Sequence, residues 1–237
     1  MTIKTALRSS LTAFCLLSSA LVLFSCQNGN KSGQKLGDDT VYVKGLYVHS
    51  EKLDSLRDCV DTSMVFFVKD ETGTLAQRYD SLPAIKHTEE AVLVELKGII
   101  SKTTNDSIAK TLPKTLKVYE VRRMEHKNYQ NVCIPYDFWA LGSEPSWNLE
   151  ISKSENLISF SDFNTQKAYR FNFKEPIINK DTTSWTYETR NKEERANIRI
   201  TIRQQECSDT MTDTKYKFSA EILINGKSYK GCAISWK

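Results

Sequence analysis

Period-two alternation of apolar side chains is common in the chain, especially after Trp139, while helix-period patterns are nearly absent. Trp147, Leu149 and Ile151 alternate with Asn148 and Glu150, and Tyr169, Phe171 and Phe173 with Arg170 and Asn172. Ile198, Ile200 and Ile202 alternate with Arg199, Thr201 and Arg203; Tyr216, Phe218, Ala220, Ile222 and Ile224 stand against Lys215, Lys217 and Glu221. A period of two sends successive side chains to opposite faces of a strand, so each segment should bury one face and wet the other. Asn225-Gly226 supplies a two-residue hairpin turn, since both residues tolerate positive φ, and a last strand should follow from Lys227 to Trp236. Loops are marked by Pro176 and by residues 179–183 and 191–195. Residues 136–237 are therefore expected to form an antiparallel meander, closed as a barrel or curled sandwich that protects its edges.

The first half is less regular. Residues 41–49, 64–69, 75–79, 91–100 and 115–122 read as strands, with a loop or short helix at 81–90 and a loop or helical turn at 103–109. Five strands with a helix after the third is the layout of an OB-like barrel, expected over residues 41–132. The fold class expected for the whole is all-β.

The amino terminus reads differently. Lys4 and Arg8 precede an apolar run from Leu11 that ends in Leu23-Phe24-Ser25-Cys26. The run is too short to span a bilayer as a helix, which needs about 20 residues. Residues 1–25 have the parts of a lipoprotein signal peptide, cut before Cys26, whose sulfur then takes lipid. The mature chain is expected to be anchored to a membrane without spanning it. Residues 26–40 are mostly Gly, Asn, Ser, Lys and Gln and should form a flexible tether. Gln27 stands where Asp would retain a protein in the inner membrane. By resemblance to Gram-negative sorting signals, this implies lipid anchoring in the outer membrane, at its periplasmic face or the cell surface.

Of six cysteines, Cys15 leaves with the signal and Cys26 is acylated, so Cys59, Cys133, Cys207 and Cys232 remain. An even set in an oxidising compartment implies disulfides. Four cysteines allow three pairings; Cys59–Cys133 and Cys207–Cys232 are favoured because each pair brackets one proposed domain. With no mature Cys-x-x-Cys, zinc and thiol redox chemistry are not expected.

Removing Lys4 and Arg8 from 33 basic residues leaves 31 against 29 acidic, near neutrality. The basic residues are scattered rather than striped, which excludes nucleic acid as an expected partner. No Gly-x-Ser-x-Gly elbow or His-Glu-x-x-His occurs. Gly226-Lys227-Ser228 resembles the end of a phosphate loop, but Glu221 stands where the earlier Gly belongs and the context is a hairpin. His49, His87 and His126 are far apart and read as surface residues. Glu206, Asp209 and Asp213 crowd Cys207 without calcium-loop spacing, and read as a polar loop tethered by a disulfide. Glu144, before Trp147, could be a general acid or a turn acceptor. Trp139, Trp147, Trp185 and Trp236 suit a core, or the lining of a ligand cavity. The candidate ligand-binding residues are Glu144, Trp147, Asp209 and Asp213. No catalytic residue, metal site or cofactor is expected.

Two segments resemble known families. Asp58-Cys59, the run Ala91-Val92-Leu93-Val94-Glu95-Leu96-Lys97-Gly98, and Leu116-Lys117-Val118-Tyr119-Glu120-Val121 are similar to the OB-like domain of the NlpE family of envelope lipoproteins. The resemblance implies surface sensing and envelope stress signalling. That family is also associated with copper tolerance, but its other domain carries a Cys-x-x-Cys absent here. The run Gly142-Ser143-Glu144-Pro145-Ser146-Trp147 is similar to the Gly-Thr-Glu-Pro-Phe-Trp opening of an uncharacterised envelope-protein family. Cys207-Ser208-Asp209-Thr210-Met211-Thr212-Asp213 and Gly231-Cys232-Ala233 resemble its closing pieces, with Thr210 in place of the usual Gly. This second resemblance implies a secreted β-barrel with one disulfide and brings no activity. Asp39-Thr40-Val41, Asp54-Ser55-Leu56, Asp80-Ser81-Leu82 and Asp106-Ser107-Ile108 match an O-glycosylation motif of some exported bacterial proteins.

The expected function is that of a non-enzymatic, lipid-anchored sensor or interaction module with an envelope protein partner of unknown identity. The alternative is a β-barrel module that holds a small ligand or inhibits a hydrolase such as lysozyme. A hydrolase acting through Glu144 or Asp209 is a third possibility.

Overall fold

In the computed structural model, residues 39–82, 89–209 and 214–236 are described. The signal, Cys26, most of the tether, His87 and Asp213 lie outside them.

Strands β1 (Val41–Val48), β2 (Ser55–Asp58) and β3 (Val65–Asp70) lead into helix α1 (Leu75–Ser81); β4 (Val92–Lys102), helix α2 (Asp106–Ala109) and β5 (Lys114–His126) follow. The strands close in the order β1-β2-β3-β5-β4, with β4 pairing back onto β1 and only β3–β5 parallel. This is the expected OB-like barrel. Val43, Tyr47, Leu56, Phe66, Val68, Val94, Leu96, Leu116 and Val118 fill its interior. The β4–β5 register shifts at Glu95/Leu96 and again at Lys97/Gly98, and such bulges bend a strand enough to close a small barrel.

Two local expectations are corrected. Residues 75–79 are helical, not extended: Leu75 and Tyr79 lie one turn apart and both are buried in the barrel core. Asp70 receives the incoming helix, its Oδ2 accepting from the Leu75 N–H at 2.8 Å. The missing strand is β2, whose short Ser-Leu-Arg-Asp stretch buries only Leu56 and is held by pairing to β1 and β3.

The second sheet contains β6 (Phe138–Ser143), β7 (Ser146–Ser152), β8 (Leu157–Asp162), β9 (Lys167–Phe171), β10 (Ile177–Ile178), β11 (Ser184–Asn191), β12 (Ala196–Arg203), β15 (Phe218–Ile224) and β16 (Lys227–Ser235). Strands β13 (Cys207–Ser208) and β14 (Lys215–Tyr216) form a separate small hairpin. The nine strands run β10-β11-β12-β15-β16-β6-β7-β8-β9, every neighbour antiparallel. The sheet curls until its flanks meet through side chains: Asn191 Nδ2 donates to the Arg170 carbonyl at 2.8 Å. Asn225 and Gly226 turn the β15–β16 hairpin at φ 48° and 82°.

The expected alternation fills the interior with Trp147, Leu149, Ile151, Phe171, Ile198, Ile200, Ile202, Ala220, Ile222 and Ile224. The outer face of β7 and β8 departs from expectation. Instead of facing water it is covered, so that Glu150, Ser159 and Ser161 are buried as well as Ile151, Ile158 and Phe160. A third core explains the cover. Leu46 and Leu93, on the outside of the barrel, pack with Val132, Ile134 and Tyr136 of the connecting segment and with Trp139 of β6. The disulfide Cys59–Cys133 fastens that segment to the barrel, and Cys207–Cys232 fastens the small hairpin to β16; these are the favoured pairs.

Candidate functional site

Of the residues expected to bind a ligand, Glu144 and Asp209 meet at one depression, Trp147 lies in the core, and Asp213 is outside the described residues. Glu144 is exposed in the β6–β7 turn. Asp209 accepts from Ser143 Oγ at 2.8 Å, in a shallow depression beside Cys207–Cys232 that Glu144 also lines. Trp147 is 1% exposed inside the sheet, where its indole stacks near Phe160 and meets Tyr229 edge-on. Its ring lies over Gly142 and Gly231, where a Cβ would collide with it. The curled sheet is therefore packed with side chains, and Trp147 is core rather than cavity lining. Phe138 and Trp185 are likewise in ring contact, and Trp139 belongs to the third core.

Two of the histidines are partnered rather than free on the surface. His49 Nδ1 lies 2.7 Å from Asp54 Oδ1, while Tyr47 Oη donates to Asp54 Oδ2 at 2.7 Å. Burial, reinforced by the Asp54 hydrogen bond and charge, raises the Tyr47 hydroxyl above its ordinary pKa. This cluster braces the β1–β2 connection; it also occupies the Asp54 carboxylate of one O-glycosylation match. His126 Nδ1 faces Glu90 Oε1 at 3.6 Å.

His126 leads to the site that sequence reasoning missed. A cleft of about 410 Å³ opens where β7 and β8 face the outside of the barrel. Its floor is the outward face of those two strands, where Asn148 pairs opposite Ser161 and Glu150 opposite Ser159. Glu90 and His126 come from the barrel, and Leu46, Trp139 and Phe163 add apolar surface. Two guanidinium contacts link the sheets around it: Arg57 to the Ser154 carbonyl at 3.5 Å and Arg170 to the Glu89 carbonyl at 3.2 Å.

At one wall, Lys127 Nζ donates to Glu150 Oε1 at 2.8 Å and to Glu155 Oε2 at 3.0 Å. Only 5% of the Lys127 side chain and 6% of that of Glu150 are exposed. Burial pushes the Glu150 carboxyl up to about 7; the Lys127 charge opposes this and the Glu155 charge adds to it. Burial also acts against the Lys127 ammonium, yet the two carboxylates outweigh it and hold its pKa above the ordinary value. Among the described residues, Glu90 Oε2 is buried with no hydrogen-bond partner. The cleft thus offers hydroxyls, an amide and a carboxylate, in surroundings of nearly balanced charge. Only long-range contact between separate sheets assembles it, and local alternation carries no signal of that.

Among the described residues, no group of three or more His, Cys, Asp or Glu side chains is placed to hold a metal ion. No described helix is long and apolar enough to cross a membrane. Comparison with protein-family models, curated proteins and solved structures returned no match.

Proposed function

We propose that this chain is a lipid-anchored, non-enzymatic module of the outer membrane that senses or recognises an envelope component, in the manner of the NlpE-like lipoproteins. The observation that carries the reading is the pair of disulfides, one on each β unit, which suits an oxidising compartment outside the cytosol. The first barrel has the OB strand order that the five-strand pattern predicts. A hydrophobic joint couples the two sheets, and a disulfide fastens the connecting segment within it to the barrel, as a module that transmits contact from one part to another requires. The packed interior of the second sheet speaks against a small-ligand cavity there; in the alternative reading a ligand would instead occupy the cleft between the sheets.

The test joins chemistry to phenotype. Mass spectrometry of the native protein should find Cys26 as the acylated first residue, and deletion of the gene should abolish induction of an envelope-stress reporter. Complementation by the wild type, but not by Cys26→Ser, is the expected result. Retention of residues 1–25, or a reporter indifferent to the deletion, would overturn the proposal.

A further inference from the structure

Exposed apolar side chains gather where the described chain enters the barrel. Tyr42 is 62% exposed, and Val41 and Ile100 are exposed near it. Val41 pairs with Gly98 of β4, two residues short of Ile100, and Tyr42 pairs with Lys97. The Tyr42 ring lies on the outside of the barrel, with the Arg122 guanidinium carbon 4.9 Å and the Lys97 ammonium 5.5 Å from its centre.

The charge around this ring is one-sided. Lys44 lies two positions along the same face of β1, and Lys117 of β5 stands opposite Ile99, two residues beyond Lys97. The carboxylates of the face are already engaged: Glu95 by Arg123 at 3.7 Å, Glu120 by Arg122 at 3.5 Å and Glu71 by Lys69 at 3.0 Å. Among the described residues, no carboxylate is in ion-pair range of Lys44, Lys97 or Lys117. Asp39, exposed two residues before β1, offsets one of these three charges. An amphipathic ring with apolar neighbours and a rim of lysines suits the boundary between water and lipid, where the ring sits among headgroups and the basic stems reach the phosphates.

The path of the chain selects the occupant. Residues 26–39 span at most about 45–50 Å when fully drawn out, and they join Cys26 to the start of β1. A membrane holding Cys26 is thus within reach of this end of the barrel, and the contact needs no capture from solution. An anionic headgroup layer favours a basic surface by about fivefold per net charge, so the two net charges give about a thirtyfold preference for this face.

We infer that the face of the barrel centred on Tyr42, with Lys44, Lys97 and Lys117 around it, rests on the anionic phospholipid headgroups of the membrane that carries the anchor. The inference rests on the lipid-anchored reading above and adds an orientation to it.

The experiment uses the full acylated chain in vesicles of phosphatidylcholine, with or without phosphatidylglycerol. Flotation shows whether the chain is anchored, and lysine acetylation read by mass spectrometry shows which face is covered. Lys44, Lys97 and Lys117 should be labelled at least about fivefold more slowly when phosphatidylglycerol is present, and high salt should remove the difference. Exposed Lys174 and Lys192 of the second sheet should label alike in both vesicles. Lys97→Gln with Lys117→Gln should restore labelling of Lys44 while the protein still floats. Failure to float would overturn the anchored reading, and this one with it. Flotation with equal labelling of the three lysines in both vesicles would overturn the orientation alone. So would protection that ignores lipid charge and salt, or protection that requires added envelope proteins, which would mark the face as a protein interface.

Discussion

Lys127, the first residue past the barrel's last strand, holds its Nζ 2.8 Å from the Glu150 carboxylate on β7 of the second sheet. The pair joins the two sheets through a buried ion contact, with Glu155 as a third member at 3.0 Å. Folding raises the Glu150 carboxyl from the ordinary 4.5 to about 7. The folded chain thus holds a proton that the unfolded chain releases between those values, and stability falls as pH rises through that window. The fall is on the order of 3 kcal/mol at most, at about 1.4 kcal/mol per pH unit. Urea midpoints from pH 4.5 to 7 should show the decline, and Glu150→Gln should flatten it. Lys127→Met should cost about 3–5 kcal/mol well above pH 7, where both carboxylates are charged without their cation, and less near and below neutrality, where Glu150 holds a proton.

Asp162 has the opposite sign. It is 1% exposed; its Oδ2 accepts from Tyr229 Oη at 2.6 Å and Lys227 Nζ at 2.9 Å, and its Oδ1 from the Asn164 and Thr165 amides. Burial works against the carboxylate, but these hydrogen bonds prevail and place its pKa well below the ordinary 3.8. Its contribution is therefore complete above about pH 4 and drains away as pH falls further. Tyr229→Phe should cost about 1–3 kcal/mol at neutral pH and less in acid, measured by denaturant unfolding.

Gly142 and Gly231 exist where they do because Trp147 lies across both. A Cβ at Gly231 would stand 2.7 Å from the indole Cζ2 and 2.9 Å from the Leu141 carbonyl carbon; one at Gly142 would meet the indole and the Lys230 carbonyl oxygen. Backbone cannot step aside as a flexible side chain can. Gly231→Ala should therefore destabilise by about 1–3 kcal/mol, with a red-shifted Trp emission as the indole is displaced.

Much of the second sheet was legible because alternation reports a face, and one face of Ile198–Ile200–Ile202 is indeed core. Helix α1 was misread because Leu75 and Tyr79 stand four apart, a spacing that suits both a helical turn and period two. Strand β2 was missed because Leu56 alone is buried there, and pairing on both sides does what side-chain pattern does elsewhere. The cleft was invisible for another reason. Asn148 reads as part of a wetted face, and only the approach of Leu46 and Trp139, which line the same cleft, encloses it with Ser159 and Ser161. Trp147 and Glu144 are near in sequence, yet one is interior and the other exposed, a separation that local pattern does not report.

The two disulfides should be unequal. Cys59–Cys133 closes a separation of 74 residues and Cys207–Cys232 one of 25. The chain-entropy relation assigns about 4.4 kcal/mol to the first and about 3.5 kcal/mol to the second. The longer bridge also fixes the connecting segment whose Val132, Ile134 and Tyr136 join the sheets, so its loss should loosen the joint as well as the unfolded-state constraint. Cys59→Ala with Cys133→Ala should therefore lower the unfolding midpoint more than Cys207→Ala with Cys232→Ala, and should raise hydrogen exchange at residues 132–136 selectively. A difference of only about 1 kcal/mol, as the entropy relation alone assigns, with no change of exchange at the joint, would show that the bridge acts on the unfolded chain alone.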